Sequence, residues 1–127
     1  MNPVDYLSTE EVLNLIAPDA IGTRPDVRDF GLLGAAVNRP RASVFGEDAY
    51  PDLWSKAAAL LHSIASSHPL VDGNKRLAWH AAVVFLALNG VDTVVDDDTA
   101  YDFVIAVAAG ELKDIETLAE RLRSFTR

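Results

Sequence analysis

The sequence predicts an all-α fold, a compact bundle of about six helices around a buried central helix. Three observations predict it. Apolar residues recur at helical spacing along most of the 127-residue chain. Between Leu77 and Leu88 only His80 is polar, as in a helix covered on nearly every side. No segment alternates apolar and polar residues as a half-buried strand does.

The elements follow in order. Ser8 and Glu11 have capping-box spacing ahead of Val12, Leu13 and Ile16, and Pro18 ends this first helix. A second helix spans about Asp26 to Asn38 and stops before Pro40. Arg39 to Tyr50, with Pro40, Gly46 and two acids, reads as an exposed loop or short hairpin. Pro51 suits the first turn of a third helix, whose apolar face is Leu53, Ala57, Leu60, Leu61 and Ile64. Ser67 to Gly73 breaks it. A fourth helix runs from Asn74 to Asn89, with Gly90 as its stop, and the bundle is expected to form around it. Val91 to Val95 suits a short extended piece. Two further helices cover about Thr99–Ala109 and Asp114–Phe125, the last with a core stripe of Ile115, Leu118, Leu122 and Phe125. His80, Trp54 and Trp79 are expected to be packing residues.

Composition narrows the class. Residues 1–127 suit a single domain that buries a core without staples, and half the residues are hydrophobic. The absence of cysteine excludes a disulfide scaffold and a thiolate metal site. The N-terminus lacks the basic and apolar regions of a secretory signal, and Leu77–Leu88 is too short to span a bilayer. The expectation is a cytoplasmic protein with no membrane association. A net charge of −8 opposes direct nucleic-acid binding. Asp96–Asp98 reads as solvated surface charge.

Chemistry concentrates in His68-Pro69-Leu70-Val71-Asp72-Gly73-Asn74-Lys75-Arg76, between two strongly periodic helices. The first amides of a helix lack internal partners and, with the helix dipole, form an anion site. Gly73 lets the backbone approach a ligand, and Asn74 can cap the helix or bond a phosphate oxygen. Arg76 offers a planar fork and Lys75 a mobile charge. Asp72 is suited to a magnesium ion shared with phosphates. His68 brings an imidazole, a side chain that titrates near neutrality and can take a proton from an attacking hydroxyl. Separately, each has an ordinary reading as a cap, turn, surface charge or loop histidine. All six within nine residues, directly before an apolar helix, suit phosphoryl or nucleotidyl transfer.

This segment resembles the signature of the Fic/Doc family, whose Doc branch reads His-x-Phe-x-Asp-x-Asn-Lys-Arg. His68, Asp72, Asn74, Lys75 and Arg76 match it, and Leu70 stands in place of the phenylalanine. The resemblance extends over Arg28–Leu33, Asn38–Pro40, Phe45–Glu47, Tyr50–Leu53, Lys56–Ile64 and Phe85–Gly90.

The resemblance implies ATP as the nucleotide and Mg2+ as its metal. It implies His68 as general base, Asp72 as the magnesium ligand, and Gly73 and Asn74 in an anion hole. Lys75 and Arg76 would sit on nucleotide phosphates, and Arg39–Tyr50 would be a flap that aligns the target. Lys75 occupies the place of a glycine in the AMP-transferring branch. The similarity therefore favours a toxin kinase that passes the γ-phosphate to a threonine of elongation factor Tu and so blocks translation. AMP transfer is the alternative. A Phd-like antitoxin, whose C-terminal segment folds into a groove, is the implied partner. The nearest approach to the family's inhibitory Ser/Thr-x-x-x-Glu-Gly/Asn motif is Ser43–Asp48, inside the flap, so the chain is expected to lack a brake of its own. Two rival readings are a non-catalytic binding module and a metal-dependent phosphohydrolase using His62, His68, Asp72 and His80. The first predicts decay of the motif; the second lacks a close-spaced ligand pair.

Overall fold

A computed structural model describes residues 3–15 and 26–127. Ile16 and Pro18, expected within and after the first helix, lie outside these. Six α-helices appear among the described residues: α1 (Thr9–Asn14), α2 (Phe30–Asn38), α3 (Leu53–Ser67), α4 (Asn74–Leu88), α5 (Asp97–Ala108) and α6 (Ile115–Ser124). A 3₁₀ turn (Arg39–Arg41) and a hairpin of β1 (Ser43–Val44) and β2 (Glu47–Asp48) separate α2 from α3.

Side-chain caps set most of the helix starts. Ser8 and Glu11 form the expected capping box on α1. The second helix begins at Phe30 rather than Asp26, because Asp29 is its cap and Val27 pairs in an extended bridge with Leu70. Pro51 lies just outside α3, which Asp52 caps. Asp96 and Asp114 cap α5 and α6. The acidic Asp96–Asp98 run is therefore a helix start, with Asp97 and Asp98 in the first turn where the dipole favours negative charge. Hydrogen bonds from the Thr99 side chain and backbone lower the pKa of Asp96.

One hydrophobic cluster contains residues of all six helices. Its hub is α3, not the fourth helix. Nine α3 residues are buried, and α3 packs on α2, α4, α5 and α6. Its Ala57-Ala58-Ala59 run, wholly buried, lets neighbours approach on several sides. α4 instead buries Leu77, Ala78, Ala81, Ala82, Phe85 and Leu86 and turns the rest outward. His80 lies on that outer face with Ala87 and is exposed, so it is not a core histidine. Each fully buried leucine of the cluster contributes about 1.5–3 kcal/mol.

The chain ends are tied to this hub. Asn89 exchanges two hydrogen bonds with the backbone of Asp5, at 2.8 and 2.9 Å. Beyond Gly90 (φ +84°), Thr93 bridges Thr126, giving the expected extended piece. Trp54 donates to the Thr126 hydroxyl at 3.1 Å and lies under the Arg123 guanidinium. Trp79, Phe103 and Phe125 meet edge to face, with centroids 5.3–6.4 Å apart. Among the described residues no helix is long and apolar enough to cross a membrane.

Candidate active site

The loop from His68 to Gly73 joins the C-terminus of α3 to the N-terminus of α4, and backbone bonds hold it in shape. Pro69 carbonyl accepts from the amides of Arg28 and Asp29 at 2.8 and 3.1 Å. The Val71 amide donates to Asp26 carbonyl at 2.9 Å. Leu70, which stands where the family has phenylalanine, is buried in the common core. The guanidinium of Arg28 donates to the carbonyls of His68 and Ser67, at 2.8 and 2.9 Å, which are orphans of the α3 terminus. A cation there also complements the helix dipole.

His68 is the C-cap of α3 with φ 52° and ψ 60°. A non-glycine residue in this left-handed region is uncommon and marks a place worth examining for function. Its side chain is exposed, and no hydrogen bond to its ring occurs among the described residues.

The start of α4 differs from every other helix start described here. Five helices receive a side-chain oxygen at the N-terminus; α4, with Gly73 (φ 88°) as its cap, receives none. Asn74 does not supply one. Its Oδ1 accepts from the Leu70 amide at 2.8 Å and its Nδ2 donates to the Leu70 carbonyl at 3.0 Å. The side chain expected to cap the helix or bond a phosphate thus locks the loop instead. Asp72 is exposed and takes the Gly73 amide on Oδ1 at 2.9 Å. Lys75 and Arg76 are exposed.

A cavity of about 460 Å³ opens at this terminus. Its lining combines Asp72, Gly73, Asn74, Lys75 and Arg76 with Trp79 of α4 and with Ala100, Tyr101, Val104 and Ile105 of α5. Its size fits a small-molecule ligand, and a lining that mixes charged and aromatic side chains fits a ligand with a charged and an aromatic part. His68 is not in its wall; it stands at the other end of the loop. The predicted residues therefore divide into a cavity-lining group of five and a separate histidine. Sequence reading missed the aromatic wall, since Trp79 both packs on Phe103 and Phe125 and lines the cavity. It also missed Arg28, whose bonds cross the chain.

The proposed phosphohydrolase ligands do not assemble. Among the described residues no group of three or more His, Asp or Glu side chains is placed to hold a metal. His62 instead meets Arg39, with Nη1 3.0 Å from its Nδ1. Burial and then the Arg39 charge lower its pKa. The Ser43–Asp48 segment, nearest to the inhibitory motif, is a hairpin rather than a helix.

A helical protein with a left-handed histidine at one end of a loop, and an uncapped helix start, a basic pair and an aromatic-lined cavity at the other, has the layout of a loop-to-helix ligand site. The chain is a member of the Fic/Doc family: the Fic/DOC family model matches residues 6–86. It is 50% identical over 123 residues to Toxin Doc of Mycolicibacterium smegmatis, covering 95% of this chain and 93% of that protein. It is 32% identical over 120 residues to Protein kinase doc of Escherichia phage P1, covering 93% of each.

Proposed function

We propose that this protein is the toxin of a toxin–antitoxin pair and a protein kinase that moves the γ-phosphate of ATP to a protein hydroxyl. The observation that carries the reading is the uncapped start of α4. Every other described helix has a cap residue whose side chain accepts from one first-turn amide, whereas α4 has none, and its first residues, Asn74, Lys75 and Arg76, line the cavity. The relatives' names, a toxin and a protein kinase, support the same reading.

His68 accepts the proton of the attacking hydroxyl as its oxygen bonds to the γ-phosphorus. The bond from that phosphorus to the bridging oxygen breaks, and ADP leaves. The α4 amides, Arg76 and Lys75 offset the charge of the transferring group, where positioning and neutralisation supply most of the catalysis. Trp79 and Tyr101 offer the nucleobase an aromatic wall. Asp72 fits magnesium: one exposed carboxylate beside a phosphate site, with an oxygen left over, is a common protein contribution to such an ion. Bound there, the ion would neutralise phosphate charge.

The favoured substrate is a threonine of elongation factor Tu, seated by the Ser43–Asp48 hairpin. The partner is a Phd-like antitoxin, and the compartment is the cytoplasm. A transfer assay with elongation factor Tu and ATP labelled at the α- or γ-phosphate, read by intact mass, tests this. One added phosphate, lost in His68→Ala, supports the kinase. One added AMP would keep the site and overturn the argument from Lys75.

A further inference from the structure

The hairpin is held by two cations that the transfer chemistry does not use. Lys56, on α3, is only 1% exposed. Its Nζ donates to Asp48 Oδ2 at 3.0 Å and to the Tyr50 carbonyl. Arg39 reaches Tyr50 from the other side, with Nε donating to the Tyr50 hydroxyl at 2.8 Å. Its Nη1 donates to Ser63 Oγ at 2.8 Å and meets His62 Nδ1. Tyr50 therefore ties both cations together, its carbonyl on one and its hydroxyl on the other.

All of these anchors end on α3. Lys56 and Ser63 are seven residues apart, two turns, and so share a face. His68 follows five residues after Ser63 as the cap of the same helix. The hairpin's tip is exposed at Val44 and Phe45, and among the described residues its two strands pair only with each other. Their outer edges are open to an added strand. A buried lysine is costly to keep charged unless it is paired. Its use here, on a hairpin of two-residue strands with little core of its own, points to a need for fixed placement.

We infer that Lys56 and Arg39 are positioning residues that fasten the substrate-seating hairpin to the helix carrying His68, so that the target hydroxyl and the base keep one distance. This rests on the reading of the hairpin as the seat of the protein substrate. Misplacement by about 1 Å can cost roughly a hundredfold in transfer rate.

The test uses the full chain with Lys56→Met, Lys56→Arg and Tyr50→Phe. Tyr50→Phe keeps the ring under Arg39 and deletes one hydroxyl, so it serves if Lys56→Met does not fold. Hydrogen exchange of Ser43–Asp48 is compared with that of residues 68–76, and KM is measured separately for elongation factor Tu and for ATP. The expected result is faster exchange confined to the hairpin. Protein-substrate kcat/KM falls by roughly ten- to a hundredfold, the KM for ATP is unchanged, and Lys56→Arg recovers part of the loss. Unchanged hairpin exchange, or parallel loss for ATP and protein, overturns the inference. If the wild type modifies no elongation factor, the proposed substrate falls; exchange then decides alone, with a loosened hairpin sustaining the fastening and an unaltered one refuting it.

Discussion

Two loops flank α3, and they are held in different ways. The loop after it, from His68 to Gly73, is gripped along its own main chain: by backbone bonds between Pro69 and Arg28 and Asp29 and between Val71 and Asp26, by the side chains of Arg28 and Asn74, and by Leu70 sunk in the core. The loop before it, the Ser43–Asp48 hairpin, is fastened at its base by Lys56 and Arg39 and exposed throughout. Gripping a loop along its main chain fixes its conformation. Side-chain fastening fixes a position and leaves the tip free to vary. The first suits a site where charge must meet set donors; the second suits a site that must fit a particular partner.

The largest test of this contrast lies at His68. Replacement by alanine should lower transfer by about 10²–10⁴-fold while ATP binding, read by calorimetry, persists. Because the residue sits at φ 52°, His68→Gly should be more stable than His68→Ala by roughly 1 kcal/mol in urea unfolding and equally inactive. Equal stability would remove the case for backbone strain.

Asn74→Ala comes next. It deletes both bonds to Leu70 and should cost about 1–3 kcal/mol, with ATP affinity falling alongside. Retained stability would mean the bracing is redundant. At the hairpin tip, Phe45→Ser should change stability by less than about 0.5 kcal/mol, since Phe45 is fully exposed. It should still weaken recognition of the protein target, seen as a raised KM.

The smallest effect concerns His62 beneath the fastening. Its pKa is lowered in the folded chain from an ordinary 6.5, by burial first and by Arg39 second. The unfolded chain therefore takes up the proton at higher pH. The stabilisation is complete above about pH 6.5 and is lost as pH falls below it, levelling off under the folded value. Urea midpoints between pH 5 and 8 should show this slope in the wild type and less of it in His62→Gln. The lowered Asp96 acts at lower pH, so the difference isolates the histidine.

Periodicity made the helices legible, because each apolar stripe states its requirement locally, as does the Ser8–Glu11 capping box; the aspartate caps at Asp29, Asp52 and Asp96 were not read from the sequence. The candidate site residues stand out as a cluster in nine consecutive positions, and five of them line one cavity. What was not legible depends on partners far along the chain. Arg28 bonds Ser67 and His68, and Asn74 faces Leu70 only once the loop closes. The apolar look of α4 overstated its burial. Centrality went to α3, where small residues rather than uniformly apolar ones permit close approach on many sides.

That property of α3 has an evolutionary side. Ala57, Ala58 and Ala59 point in directions about 100° apart, and all three are fully buried. A larger side chain at each would press against a different part of the surroundings. No single compensating change elsewhere could absorb all three. Divergence within this protein should accordingly run around the segment, through the hairpin tip and the outer face of α4, leaving the alanine triplet as a slow-changing keel.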